Sequence, residues 1–109
     1  MNVKFREGVS DKVKDKVRKF MNDVSFTEVF DGVSASYAPL YQFLVEVSCH
    51  AVFHGDYMEI MPMDVWVKEE MASWPPNYSV YYGYILHDYL VRAGFPIDKV
   101  NEWMRGENG

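Results

Sequence analysis

Between residues 41 and 53 every second position is apolar: Tyr41, Phe43, Val45, Val47, Cys49, Ala51 and Phe53 alternate with Gln42, Leu44, Glu46, Ser48, His50 and Val52. That alternation is the period of a strand with one buried face. His54, Gly55 and Asp56 can turn the chain, and 57–69 can bring it back, so the pattern predicts an antiparallel hairpin of about 41–53 with 57–69. Pro62 puts a break, bulge or edge into the returning strand, because proline has no N–H for the ladder. An exposed edge there would suit a homodimer. By the same period His50 and His54 fall on the polar side, near the turn.

The period changes on either side of this region. Ser10 followed by Val13, Val17, Phe20 and Met21 gives a capping residue and an i, i+4, i+7, i+8 stripe, which predicts an amphipathic helix over roughly 11–22. The stretch 24–30, VSFTEVF, has strand composition and ends at the turn dipeptide Asp31-Gly32. Two prolines in 73–77, SWPPN, punctuate the chain. From about Tyr78 to Ala93 it reads as a helix, closed by Gly94. A last helix starts near Pro96 and carries Ile97, Val100, Trp103 and Met104 on one stripe. The expected architecture is therefore α+β: an N-terminal helix, a small antiparallel sheet and two C-terminal helices, in a single domain over 1–109.

Composition narrows the class. With 49% hydrophobic and 17% aromatic residues, the chain has enough large apolar side chains for a folded core. No apolar run approaches the roughly 20 residues needed to cross a bilayer. The N-terminal stretch lacks the apolar core of a secretory signal, so a cytoplasmic protein is expected. The single Cys49 has no partner for an internal disulfide and reads as a reduced core thiol.

The net charge of -5 is unevenly spread. Residues 10–20 hold Lys12, Lys14, Lys16, Arg18 and Lys19 against Asp11 and Asp15, whereas Asp23 to Asp88 contains ten acidic residues and one basic one, Lys68. Such a body disfavours direct nucleic-acid binding and attracts cations or basic partners.

The one chemically suggestive pair is His87-Asp88, set among apolar residues of the 78–93 helix. Leu86 and Leu90 define one face, and Tyr82, Tyr84, Ile85, Tyr89 and Val91 continue apolar character around it, which predicts a helix surrounded by protein and an Asp88 that is at least partly buried. A buried carboxylate needs a partner, and Arg92 lies four residues on. Gly83, one turn before His87, would leave room beside the imidazole.

Three short stretches carry a resemblance. Glu70-Met71-Ala72-Ser73-Trp74-Pro75, then His87-Asp88-Tyr89-Leu90, then Asp98-Lys99-Val100 with Trp103-Met104, resemble in order and spacing a phage and prophage family known as domain of unknown function 1353. Ala72, Ser73, Pro75, His87, Asp88, Leu90 and Asp98 match its pattern. Glu70 stands where the family has aspartate, Val91 where it has tyrosine, and Ile97 where it has alanine. The likeness covers about residues 60–105. It implies a phage origin and a polar cluster of Glu70, Ser73, His87, Asp88 and Asp98, and it assigns no activity.

Two readings of such a cluster stand side by side. Glu70, His87, Asp88 and Asp98 could ligate Zn²⁺ or another divalent ion and activate water, with His87 and Asp88 as catalytic candidates. The same residues, with Ser73 and Arg92, could instead be a satisfied network that fixes the loop and both helices. At the level of the protein this gives two functions. One is a small acidic interaction protein binding a host or phage protein, as a counter-defence inhibitor or virion-assembly component, with Trp66, Trp74, Tyr78 and Tyr81 as contact residues. It would act in the infected cytoplasm or in the virion. The other is a small metal-assisted hydrolase.

Overall fold

A computed structural model describes residues 2–23 and 33–105. The strand expected in 24–30 and the Asp31-Gly32 turn lie outside the described residues. The fold is α+β, and the chain divides into two compact units, Met1–Pro62 and Met63–Gly109.

The first unit contains β1 (Asn2–Phe5), α1 (Asp11–Asp23), α2 (Val33–Glu46), β2 (Cys49–Phe53) and β3 (Tyr57–Pro62). The expected first helix is present. Ser10 caps α1, its Oγ accepting from the Val13 N–H at 3.2 Å, and Asp11 lies in the first turn, where the helix dipole favours an acid. Val17 is fully buried, and Val13, Phe20 and Met21 pack against the same cluster as Leu40, Leu44, Met58 and Ile60. The basic face of α1 is partly engaged with its surroundings. Arg18 lies 5.1 Å from the Phe5 ring and Lys16 4.9 Å from that of Phe43, while Lys14 and Arg18 pair with Asp11 and Asp15.

The hairpin exists around Gly55, whose φ of 95° favours a residue without a side chain, but it is shorter than the alternation predicts. Cys49 pairs with Pro62 and Phe53 with Met58, antiparallel. Residues 41–46 are helical, not extended. Leu40 and Leu44 are buried while Tyr41 is 40% exposed, the reverse of what a strand would give. This stretch satisfies both periods, because apolar residues at 40, 43, 44 and 47 also make a helical stripe, and burial of the two leucines favours the helix. The helix ends where Ser48 enters the left-handed region at φ 54°, and Cys49 starts the strand.

Pro62 stops the returning strand, and 63–69 is helix in place of the expected strand. A proline cannot extend the ladder, and immediately ahead of a first helical turn its missing N–H costs nothing. The sheet is also mixed, not purely antiparallel. β1 runs parallel to β3, from Asn2 opposite Tyr57 to Phe5 opposite Ile60, in the order β1-β3-β2. Met58 and Ile60 on the central strand are fully buried.

The second unit is helical: α3 (Met63–Ala72), a 3-10 turn (Pro76–Tyr78), α4 (Ser79–Ala93) and α5 (Ile97–Arg105). Ser73 and Trp74 close α3 through backbone bonds to Glu70 and Met71. Gly94 ends α4 as expected, at φ 108°. Its N–H donates to Val91 O at 3.1 Å, and the Phe95 N–H donates to Leu90 O at 3.2 Å, the paired bonds of a Schellman cap. Phe95 is thereby buried and meets Trp103 edge-on at 5.5 Å. α5 touches both α3 and α4, and the buried residues are Met63, Val67, Leu86, Leu90, Phe95 and Val100. Ile97, expected on the inner stripe of α5, is 53% exposed.

In the first unit the titration of His50 is displaced. Burial pushes the His50 pKa from 6.5 down to about 4, although its strand lies at the sheet edge. The unfolded chain then takes up the proton before the folded one does, so His50 subtracts stability as pH falls from about 6.5 towards 4. Urea titrations should therefore show a larger loss of stability between about pH 7 and pH 5 for the wild type than for His50→Leu. Equal losses would contradict this assignment.

Candidate functional site

Residues of α4 turn by about 100° each, which separates its side chains into an inner and an outer face. Leu86 and Leu90 are buried on the inner side, with Tyr82 and Gly83 half-buried beside them. His87 sits on the flank facing α5. Its Nε2 is hydrogen-bonded to Asn101 Oδ1 at 2.7 Å. This bond spans from α4 to α5 and gives His87 a structural partner, Asn101, that no sequence motif singles out.

Gly83 serves the same helix pair. A Cβ built there would lie 3.9 Å from Met104 Cε, in ordinary contact, so the glycine sits opposite Met104 of α5 and is not reserved for the imidazole. An open groove of about 530 Å³ runs along this junction, bordered by Gly83, Tyr84, His87, Asn101, Met104 and Arg105.

The expected polar cluster is not assembled. Asp88 does pair with Arg92, its Oδ2 accepting from Nε at 2.8 Å, but the two side chains are 64% and 79% exposed. The predicted burial of Asp88 is overturned, because the face of α4 that carries it is uncovered. Ser73 Oγ donates to the Glu70 carbonyl at 2.7 Å and so serves the end of α3. Asp98 lies exposed in the first turn of α5. Among the described residues no group of three or more His, Cys, Asp or Glu is placed to hold a metal ion, so Glu70, His87, Asp88 and Asp98 do not form the Zn²⁺ or other divalent site considered above. His54 is likewise engaged elsewhere, 3.0 Å from Glu59 and stacked on Tyr57.

The contact residues fare differently. Tyr78 and Tyr81 are 50% and 63% exposed, whereas Trp66 and Trp74 are half-buried, Trp74 edge-on to Tyr82 at 5.7 Å. The larger finding is that α4 exposes most of its remaining apolar side chains: Val80, Tyr84, Ile85, Tyr89 and Val91 all join them. Tyr84, at 74%, is among the most exposed of them. All-round apolar character is the sequence signal for this surface. The same signal predicts enclosure, since a helix of that kind normally has neighbours on every side.

No protein-family model matches the chain, and no curated protein or solved structure matches it either. Among the described residues no helix is long and apolar enough to cross a membrane.

If His87 and Asn101 act as a latch between the helices, His87→Ala and Asn101→Ala should each lower stability by about 1 kcal/mol, and the double variant by less than the sum. Chemical denaturation of the four proteins gives the coupling, and strictly additive losses would contradict the latch. Melting curves with and without a chelator should coincide; a midpoint that falls on chelation would restore the metal reading.

Proposed function

We propose that this chain is a small, acidic, phage-encoded interaction protein that docks on a host or phage protein, as a counter-defence inhibitor or a virion-assembly component. The observation that carries the reading is the apolar surface left uncovered around α4 and the 3-10 turn before it, where Tyr78, Tyr81, Tyr84 and Tyr89 stand out with Val80 and Ile85. Tyrosines of this kind supply large contact area at little entropic cost, and contiguous apolar surface on a small protein marks an interaction site. The acidic excess between Asp23 and Asp88 supports the reading in a second way, since it steers encounter towards proteins of opposite charge. The phage origin rests on the resemblance over about residues 60–105. The infected cytoplasm and the virion are the places such a protein would act.

The hydrolase alternative has no comparable support. Its candidate ligands are not gathered, and each of His87, Asp88 and Ser73 has a local partner that accounts for it.

The test compares immobilised wild type with a Tyr81→Ser, Tyr84→Ser, Tyr89→Ser triple variant against host lysate and the phage's own proteins. All three sites are exposed, so the variant should keep its helical circular dichroism. A partner held by the wild type should be retained at least about tenfold less well by the variant. Equal retention would sink the reading.

A further inference from the structure

We propose that the occupant of the α4 face is a second copy of this chain, packed antiparallel across a two-fold axis that passes through Ile85. This rests on the interaction reading above and names the partner of that same surface.

The spacing of the outward side chains carries the inference. Tyr81, Ile85, Tyr89 and Arg92 lie on one stripe of the helix, and Tyr78, in the 3-10 turn that leads into it, stands three residues before Tyr81, so the intervals are three, four, four and three residues. That series reads the same in both directions from Ile85. A two-fold interface requires that if residue i meets j, then j meets i. An antiparallel copy centred on Ile85 satisfies this along the whole stripe. Ile85 meets its own counterpart, Tyr81 meets Tyr89 of the second copy on both sides, and Tyr78 lies beside Arg92 of the second copy at each end. Helices of bundles pack antiparallel in just such a manner, with side chains at three- and four-residue intervals interleaved.

Charge points the same way. The charged residues of α4 are Asp88 and Arg92, and they already neutralise one another at 2.8 Å. With that pair neutralised, two copies can bring their α4 stripes together without like charges meeting there. The Asp88 carboxylate holds Arg92 through Nε, which leaves the plane of the guanidinium open to stack on Tyr78 of the second copy as a cation–π contact. Tyr78 stacks on Tyr82 at 5.7 Å on one side and is half exposed, so its other face is available.

The area suits a weak dimer. Given the exposures of the side chains on this stripe, each copy would remove on the order of 400 Å² from water. Twice that lies in the range of weak, transient interfaces and suits a reversible dimer. Because each chain carries -5, added salt should strengthen the pairing, whereas it would weaken docking on a basic protein.

Sedimentation of the full chain tests this. The wild type should sediment as a 12.7 kDa monomer at low micromolar concentration and at twice that mass near about 200 μM, with tighter association at higher salt. Ile85→Glu and Ile85→Lys should each dimerise about 100-fold more weakly, because like charges then meet at the axis. An equimolar mixture of the two should restore the dimer, which no loss of folding would permit. A wild type that stays monomeric, a dimer that survives Ile85→Glu, or a mixture that fails to pair would each overturn the proposal. If the wild type is monomeric while the tyrosine triple variant still loses a retained partner, self-association falls and the docking reading stands. If neither is seen, both fall.

Discussion

A helical unit built from Met63–Gly109 has too little chain to surround its longest helix. Burial rises with size, and units this small leave a large fraction of their surface in water. α4 is apolar on most of its circumference, but only the side bearing Leu86 and Leu90 is buried. What remains is a row of tyrosines and aliphatic residues facing outwards, at a cost in solubility that is offset when the face is covered. The functional proposal follows from this shortfall of cover and owes nothing to a reactive group.

The surroundings of α4 then matter because they decide which side faces out. The Pro75-Pro76 pair ends in a 3-10 turn that launches the helix at Ser79, and the Gly94 cap reverses the chain so that Phe95 is buried and α5 comes back alongside. The His87 to Asn101 bond fixes the rotation of α4 against α5. Gly83 sits opposite Met104, where no larger side chain intervenes. With the inner face set by these contacts, the outer stripe from Tyr78 to Arg92 is set as well. Thus a histidine that looks like chemistry in the sequence serves to orient a surface.

Much of this is legible in local signals that have one structural meaning. Ser10 before an i, i+4 stripe starts a helix, Gly55 turns a hairpin, Gly94 closes α4, and Asp88 pairs along the helix with Arg92 four residues on. The failures come where a pattern fits two structures. The alternation of 41–48 coexists with a helical stripe through Leu40 and Leu44, and their burial decides between them. β1 is four residues long and pairs in parallel with a strand more than fifty positions away, so no local pattern announces it. The polar cluster fails for a related reason. Helical spacing places Asp88 beside Arg92, but it cannot say whether a neighbouring element covers them, and both side chains stand mostly in water.

The central claim is that the outer face of α4 is open in the single chain and available to a partner. Tyrosine iodination of dilute protein, read by mass spectrometry, addresses it directly. Tyr81, Tyr84 and Tyr89 should be modified fastest, well ahead of the half-buried Tyr57 and Tyr82. Protection of Tyr81, Tyr84 and Tyr89 in the dilute chain, to the level of Tyr57 or Tyr82, would mean that the protein covers this face itself and would contradict the account.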